Sequence, residues 1–357
     1  ASFQVYNPDS TAIELPGMNK FARRAKVFPY MISNGFPSTE GFSSLAMGVP
    51  PHSKKRLVIT HQEVALPSLA CALKQNSYQT FRVETDLDLE EESYWVLQTF
   101  DSLITYEQTF PSAQVMLEDV GDLLLESKKD SRPVFVHVKT RNPHYPYEIA
   151  DDENQRFYTL GTPEENYMAS MRVVDQKISD FYDFLEKENL LDNTVVIITG
   201  DHSNYLSKTH VTGLPTDETV WVGGLISGPE PFIGRPEVVQ AHASLLDIPT
   251  TILSLVSQKT DWVIFGKDLL HAPSFEGTSM AIRPSGIRYN NSKGSFMVSR
   301  SNPSTLLEIV SFGALPIVDS PEHLSRSYSA EELLRVADTW SYLLDTNQVF
   351  PENSCQN

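Results

Sequence analysis

Thr194-Val195-Val196-Ile197-Ile198-Thr199-Gly200-Asp201-His202-Ser203 joins an apolar, β-branched run to a Gly-Asp-His sequence. Its β-branched run between turn residues predicts a strand that is buried on both faces. The strand ends in Gly-Asp-His, and the carboxyl ends of strands in open α/β sheets are where ligands and catalytic groups collect. A carboxylate oxygen and an imidazole nitrogen suit Zn²⁺ or Mn²⁺, so Asp201 and His202 are candidate ligands of one divalent cation. The alternative is a strand followed by a surface turn with an exposed histidine.

Strand-like and helix-like segments alternate along most of the chain, which is typical of a mostly parallel sheet wrapped by helices. We predict an α/β fold with a doubly wound, mostly parallel sheet flanked by helices. Thr162-Pro163-Glu164-Glu165 begins a long helix, because Thr can cap it, Pro suits its first turn and Glu closes a capping box. Further helices are predicted over 38–47, 64–75 and 248–256, and strands over 78–83, 134–138, 195–199 and 221–226.

The sequence changes character from about Ser274. Residues 296–298 and 306–310 predict antiparallel strands, and Ser329-Ala330-Glu331-Glu332 opens a final helix with a second capping box. We therefore predict a main domain over residues 1–274 and a small C-terminal α+β subdomain over residues 275–357.

Composition excludes several classes of partner. The 357 residues carry a formal net charge of -18, which argues against a nucleic acid or an anionic membrane surface. No run approaches the ~18 apolar residues of a membrane span, and no secretory signal is visible at Ala1. We therefore expect any export or anchoring segment to lie outside this chain. The two cysteines, Cys71 and Cys355, are too few for a disulfide framework or a cysteine metal site.

Ser38 is the candidate nucleophile. It follows Pro37 at the start of the helix that is predicted to run to about Met47. A hydroxyl at a helix N-terminus lies at the positive end of the helix dipole, which favours its ionised form and favours bound oxyanions. The alternative is that Ser38 or Thr39 is merely the N-cap of this helix.

A second polar segment, Thr140-Arg141-Asn142-Pro143-His144-Tyr145-Pro146-Tyr147, follows the strand predicted at 134–138. Arg141, Asn142 and His144 could present hydrogen-bond donors to an anionic group. The alternative is a proline-rich loop with an exposed histidine. His210 stands eight residues after His202 and either folds back over the same site or is uninvolved.

In their order along the chain, these segments resemble the alkaline phosphatase superfamily, and within it the sulfatase-like branch of lipoteichoic acid synthases, phosphoglycerol transferases and phosphoethanolamine transferases. Ser38 stands ten positions before Gly48, the spacing at which that branch places its nucleophile before a Gly-x-Pro-Pro turn. The other matching segments are His144-Tyr145-Pro146-Tyr147, Asp192-Asn193-Thr194 before the Gly-Asp-His strand end, Asp247-Ile248-Pro249-Thr250-Thr251 and Gly266-Lys267-Asp268-Leu269-Leu270.

The resemblance implies a role for each candidate residue. Ser38 is the nucleophile and shares one divalent cation (Mn²⁺, Zn²⁺, Mg²⁺ or Ca²⁺) with Asp201 and His202, while His144 is a catalytic group that contacts the substrate. The candidate substrate-binding residues are Thr39, Arg141, Asn142, Trp95 and His210. The implied substrate is an anionic ester such as a lipid head group or a glycan. The implied location is extracytoplasmic (periplasmic, extracellular or lumenal), with membrane attachment only through a segment outside this chain.

Two departures from the family pattern limit the functional prediction. The Cys/Ser-x-Pro/Ala-x-Arg motif of true sulfatases is absent at Ser38-Thr39-Glu40-Gly41-Phe42, which argues against a formylglycine enzyme. The acidic residue that ends the family's first strand falls on Ala1, so we expect that strand and its metal ligand to be missing here or supplied by another segment.

We therefore predict a metal-dependent phosphoryl-ester transferase or hydrolase that forms a covalent phosphoserine at Ser38. Two alternatives remain open. One is a catalytically impaired pseudo-enzyme that serves as a binding or assembly module, and the other is a sulfatase-like hydrolase.

Overall fold

The structure is a computed structural model that describes residues 6, 14–61, 66–84, 95–106, 113–151, 154, 156–203, 206, 214–271, 277–291, 294–308 and 329–351. The chain divides into two compact units. The first unit comprises Ala1–Val27, Ala70–Ile198 and Leu225–Val238, and the second comprises Phe28–Leu69, Thr199–Gly224 and Val239–Asn357. The domain boundary that the sequence places at residue 274 stays a prediction.

Helices and parallel strands alternate along the chain, and the predicted α/β class is confirmed. The helices are α1 Pro16–Ala22, α2 Ser38–Met47, α3 Leu57–Thr60, α4 Leu69–Gln75, α5 Ala113–Asp130, α6 Pro163–Lys187, α7 Asp217–Val220, α8 Glu230–Ile233, α9 Asp247–Leu255 and α10 Ala330–Asp345. The strands are β1 Ala25–Phe28, β2 Met31–Ile32, β3 Gln79–Glu84, β4 Ser102–Thr105, β5 Val134–Lys139, β6 Ile149–Asp151, β7 Arg156–Tyr158, β8 Val196–Thr199, β9 Gly224–Ser227, β10 Glu237–Val238, β11 Ala243–Ser244, β12 Ser279–Arg283, β13 Gly286–Asn291, β14 Gly294–Ser299 and β15 Asn302–Glu308. Across the described ranges, no helix combines the length and apolarity needed to cross a bilayer.

The first unit contains parallel strands, the antiparallel pair β6–β7 and two long helices. Strand β3 pairs in parallel with both β4 and β5, and a second sheet has the strand order β10-β1-β9-β8. Helix α6 begins at the predicted capping box, where Thr162 Oγ1 accepts a hydrogen bond from the Glu165 N–H at 3.3 Å. On α6, the carboxylate of the buried Asp175 accepts hydrogen bonds from the N–H groups of Gly17 and Met18 at 2.8 Å each. These N–H groups lie in the first turn of α1 and have no partner within that helix.

Three predicted elements differ from the structure. Strand β8 is half-buried rather than buried on both faces, because it is the last strand in its sheet order. Helix α4 begins at Leu69, and residues 66–68 are not helical, because Pro67 disfavours helix in the residue before it. Residues 64–65 of the predicted helix lie outside the described part of the chain. Strand β9 begins at Gly224 instead of residue 221, because Gly223 takes a left-handed backbone conformation with φ 63°.

The second unit contains an antiparallel sheet and the C-terminal helix. Strands β12, β13, β14 and β15 pair in that order, and α10 covers the sheet with Leu333 and Ala337 against Ile287 and Val298. The capping box predicted at Ser329 is present, since Ser329 Oγ accepts the Glu332 N–H at 3.1 Å. Residues 309–310 of the strand predicted at 306–310 lie outside the described part of the chain.

Two buried titratable groups in the second unit respond to pH in opposite directions. Burial lowers the pKa of His242 to about 4, and the neighbouring Arg288 and Lys267 act in the same direction. Burial raises the pKa of Asp247 to about 6, although the N–H groups of Lys267 and Ser244 partly oppose it. A depressed histidine pKa makes stability rise with pH through this range, whereas a raised carboxyl pKa makes it fall.

Replacing His242 by Gln removes one of these two opposing contributions. The quantity to compare is the free energy of unfolding of wild type minus that of His242→Gln. We expect this difference to rise with pH between about 4, the pKa of His242 in the folded protein, and 6.5, the ordinary pKa of histidine. The slope should approach about 1.4 kcal/mol per pH unit, the value for one proton. Urea unfolding of both proteins at several pH values measures the difference, and a difference that stays constant with pH contradicts the assignment.

Candidate functional site

The loop that precedes Ser38 is fixed by buried hydrogen bonds within the second unit. Asn34 is fully buried, its Nδ2 donates to the Met280 carbonyl at 2.7 Å, and its Oδ1 accepts the Leu246 N–H at 3.1 Å. The Ser33 N–H donates to the Val220 carbonyl at 2.7 Å. The loop therefore reaches α2 in one defined conformation.

Helix α2 begins at Ser38 and ends before Gly48. Its N-cap is Pro37, so Ser38 is the first helical residue and its hydroxyl does not cap the helix. The sequence reading that Ser38 caps α2 is thus wrong by one residue. Gly48 closes the helix with φ 70°, and a Cβ there would lie 2.6 Å from Ile264 Cγ2, so glycine is required.

Ser38 faces the Gly-Asp-His turn that follows strand β8. Ser38 Oγ lies 3.1 Å from His202 Nε2. The other ring nitrogen, Nδ1, lies 2.5 Å from the Ser203 carbonyl. Because a carbonyl only accepts, we assign the proton of neutral His202 to Nδ1, which leaves the Nε2 lone pair facing the Ser38 hydroxyl. The His202 side chain is 8% exposed and that of Asp201 is 39% exposed.

Asp201 completes this group. Its Oδ1 accepts the backbone N–H of His202 at 2.9 Å, and its Oδ2 lies 3.9 Å from His202 Nε2. His202 Nε2 therefore lies 3.1 Å from a hydroxyl oxygen and 3.9 Å from a carboxylate oxygen.

Gly41 allows α2 to approach Asp201 this closely. A Cβ added at Gly41 would lie 2.1 Å from the Asp201 carbonyl oxygen and 3.1 Å from Ser33 Oγ. The contact is with backbone, which cannot rotate away as a side chain can. A glycine at this position of the helix is therefore what brings Ser38 to the Gly-Asp-His turn.

The side chains of Ser38, Asp201 and His202 carry oxygen and nitrogen atoms of the kinds that bind a divalent cation. A metal-ligating histidine normally donates its other ring N–H to a carbonyl or carboxylate, as His202 Nδ1 does to Ser203. Asp201, His202 and Ser38 are the residues that would hold the ion. Across the described ranges, no cluster of three or more His, Cys, Asp or Glu side chains is arranged to hold a metal, and Ala1 lies outside those ranges.

Each of the remaining candidates is described by its own surroundings. In the first unit, Arg141 pairs with Glu148 at 2.8 Å and lies over the Phe157 ring, while Asn142 donates to the Glu148 carbonyl and to Ser170 Oγ. His144 is exposed, and its Nδ1 lies 2.7 Å from the Tyr145 carbonyl. Trp95 and Thr39 are buried, and His210 lies outside the described residues.

The sequence analysis did not identify three groups that hold Ser38 and His202 in place. They are Asn34, the Ser203 carbonyl and the ring of Phe36, which packs edge-on against His202 with centroids 4.7 Å apart. Asn34 and Phe36 stand close before Ser38, so their proximity could have drawn attention to them. No local pattern marks a backbone carbonyl such as that of Ser203.

Comparison of the sequence with known families identifies the family of the chain. A family model described as Sulfatase matches residues 6–258. The chain belongs to the Sulfatase family. The predicted membership of the sulfatase-like branch of the alkaline phosphatase superfamily is thereby confirmed.

Curated relatives of this Sulfatase chain are lipoteichoic acid synthases. Lipoteichoic acid synthase 2 of Bacillus subtilis (strain 168) is 29% identical over 160 residues, which are 41% of this chain and 24% of the relative. Lipoteichoic acid synthase 1 of the same strain is 25% identical over 220 residues, 55% of this chain and 33% of the relative. The matched segments thus span only 24% and 33% of the relatives' own length.

Solved structures show the same fold at low identity. A crystal structure of a protein in the alkaline phosphatase superfamily from Vibrio parahaemolyticus has a TM-score of 0.74 at 16% identity, covering 97% of this chain and 85% of that one. The lipoteichoic acid synthase LtaP from Listeria monocytogenes has a TM-score of 0.68 at 16% identity, with coverages of 92% and 86%. The phosphonate monoester hydrolase SpPMH from Silicibacter pomeroyi has a TM-score of 0.62 at 15% identity, with coverages of 96% and 92%.

Proposed function

We propose that this chain is a metal-dependent phosphoryl-ester transferase or hydrolase with Ser38 as its nucleophile. The observation that carries the proposal is the 3.1 Å contact between Ser38 Oγ and His202 Nε2, beside Asp201 and at the first turn of α2. The names of its relatives, lipoteichoic acid synthase and phosphonate monoester hydrolase, support transfer or hydrolysis at an anionic ester.

Each residue of the site has its own role in the proposed reaction. A divalent cation held by Asp201, His202 and Ser38 would supply Lewis-acid stabilisation of the phosphoryl oxygens and favour loss of the Ser38 proton. Ser38 Oγ loses its proton to solvent and forms a bond to phosphorus as the bond from phosphorus to the leaving oxygen breaks. The leaving oxygen departs with the bonding electron pair and takes up a proton from water. The N-terminus of α2 lies at Ser38 and favours the negative charge that develops there. Water or an acceptor hydroxyl then takes the phosphoryl group from Ser38.

The substrate class and the location follow from the family and from one covalent feature. We propose an anionic ester substrate, such as a lipid head group or a glycan. The role of His144 as a substrate contact stays a prediction. Cys71 is disulfide-bonded. Disulfides persist in oxidising compartments, which supports an extracytoplasmic location.

Metal removal tests the proposal. We expect the dialysed protein to retain a stoichiometric divalent cation and to turn over aryl phosphate monoesters or diesters. Chelation should lower kcat/KM at least ~10²-fold, because the ion carries both charge stabilisation and nucleophile activation, and adding back Mn²⁺ or Zn²⁺ should restore it. Elemental analysis and a nitrophenyl ester panel measure both quantities.

The alternatives give different results in the same assays. A protein that binds no cation and turns over no ester contradicts the proposal and favours a binding or assembly module. Turnover of the aryl sulfate alone contradicts phosphoryl chemistry and favours a sulfatase-like hydrolase. The Asp201→Asn variant is the control, since it removes one charge from the ligand set and should weaken cation binding.

A further inference from the structure

Arg283 lies at the end of β12, outside the residues matched by the family model, and is directed at the Ser38 loop. Its guanidinium carbon lies 4.4 Å from the centroid of the Phe36 ring. The residue is only 7% exposed, and its Nη1 donates to the Leu214 carbonyl at 3.2 Å. Arg283 is therefore a buried, directed cation and not a solvated surface charge.

Phe36 connects this cation to the imidazole of the site. The Phe36 and His202 rings meet edge-on, with centroids 4.7 Å apart and planes inclined at 68°. A guanidinium over a ring face and an edge-on contact between two rings are both attractive and both favour a particular ring orientation. Arg283, Phe36, His202 and Ser38 thus form a row in which each contact restricts the orientation of the next group.

The backbone of the loop has separate support from the same strand. The Ile282 N–H donates to the Asn34 carbonyl at 2.8 Å, and Asn34 Nδ2 donates to the Met280 carbonyl at 2.7 Å. These bonds remain when only the Arg283 side chain is changed. A substitution at Arg283 therefore isolates the effect of the guanidinium from that of the loop.

We propose that Arg283 is a positioning residue of the Ser38 site, which holds the His202 ring through Phe36 so that Nε2 faces the Ser38 hydroxyl. The planar guanidinium suits this role, because it stacks on an aromatic face as the compact lysine ammonium does not. The effect of Arg283 on the orientation of the His202 ring does not depend on any activity of the protein. Its effect on turnover rests on the proposed function.

The first test observes the ring without any turnover. Histidine-labelled protein gives ring signals in NMR spectra, and the His202 signal is assigned by its loss in His202→Gln. Arg283→Met keeps the length of the side chain and removes the cation, so we expect the His202 ring protons to shift as Phe36 reorients. Arg283→Lys should show a smaller shift.

Arg300→Met is the matched control, because Arg300 belongs to the same antiparallel region and pairs with Asp338 at 2.7 Å. It should leave the His202 signal where it is in wild type. An unchanged His202 signal in Arg283→Met overturns the proposal, whether or not the protein is an active phosphoryl transferase.

The second test is a double-mutant cycle in the active protein. If Arg283 acts through Phe36, then Arg283→Met and Phe36→Leu should each lower kcat about 10-fold with KM nearly unchanged, and the double variant should also lose only about 10-fold. Losses that multiply to about 100-fold, or a rise in KM with kcat intact, indicate direct substrate contact and overturn the positioning role. Melting temperatures confirm that each variant is folded.

Discussion

Ser38→Ala is expected to lower kcat/KM for aryl phosphate esters at least ~10³-fold, because no other hydroxyl of α2 faces His202 Nε2 among the described residues. The melting temperature should change little, since Ser38 does not cap α2 and, among the residues that the structure describes, its hydroxyl contacts only His202. Steady-state kinetics and thermal melting of the two proteins measure the two effects.

The same helix provides the control for this experiment. Ser44 is fully buried on α2, and among the residues that the structure describes its hydroxyl has no hydrogen-bond partner. Ser44→Ala should leave kcat/KM unchanged and keep or raise the melting temperature, because it removes an unsatisfied polar group. If Ser38→Ala keeps activity close to that of Ser44→Ala, Ser38 is not the nucleophile.

Gly41→Ala is expected to have the second-largest effect. The added methyl group would lie 2.1 Å from the Asp201 carbonyl oxygen, so α2 and the Gly-Asp-His turn must separate. Overpacking of this kind costs about 1–3 kcal/mol of stability. A displacement of Ser38 by about 1 Å from His202 should lower kcat/KM about 10²-fold or more.

A second glycine separates the steric effect from the loss of backbone freedom. At Gly228 an added Cβ would meet its nearest atom, the side-chain methyl Val195 Cγ2, at 3.1 Å. A side-chain methyl can move by a few tenths of an ångström, so Gly228→Ala should cost little stability and leave kcat/KM near wild type. Equal losses of activity in both variants, measured by kinetics and urea unfolding, would refute the role assigned to Gly41.

The elements with strong local signals could be predicted from the sequence. The capping boxes at Thr162 and Ser329 place the starts of α6 and α10 within one residue, because the side chains that satisfy the first N–H groups are local. The Gly-Asp-His turn and Ser38 stand out because polar groups follow an apolar strand and open a helix. A single Pro or Gly shifts the start of α4 and of β9, so the spacing of apolar residues alone does not predict these boundaries.

The parts of the site that depend on packing could not be predicted. Gly41 looks like an ordinary helix glycine until the Asp201 carbonyl is placed against it. Arg283 stands far along the chain from Ser38, and only the pairing of β12 with the Asn34 loop brings it to Phe36. Trp95, assigned to substrate binding by resemblance, is 2% exposed, which no residue-type argument foresees.

The central claim is that the hydroxyl of Ser38 attacks phosphorus while it lies against His202 and Asp201. Rapid acid quenching during turnover of a phosphate ester, followed by peptide mass spectrometry, tests it most directly. We expect one added phosphoryl group on the peptide that carries Ser38, and none in Ser38→Ala. Turnover without any labelled peptide, or a label on a different residue, would show that Ser38 is not the nucleophile.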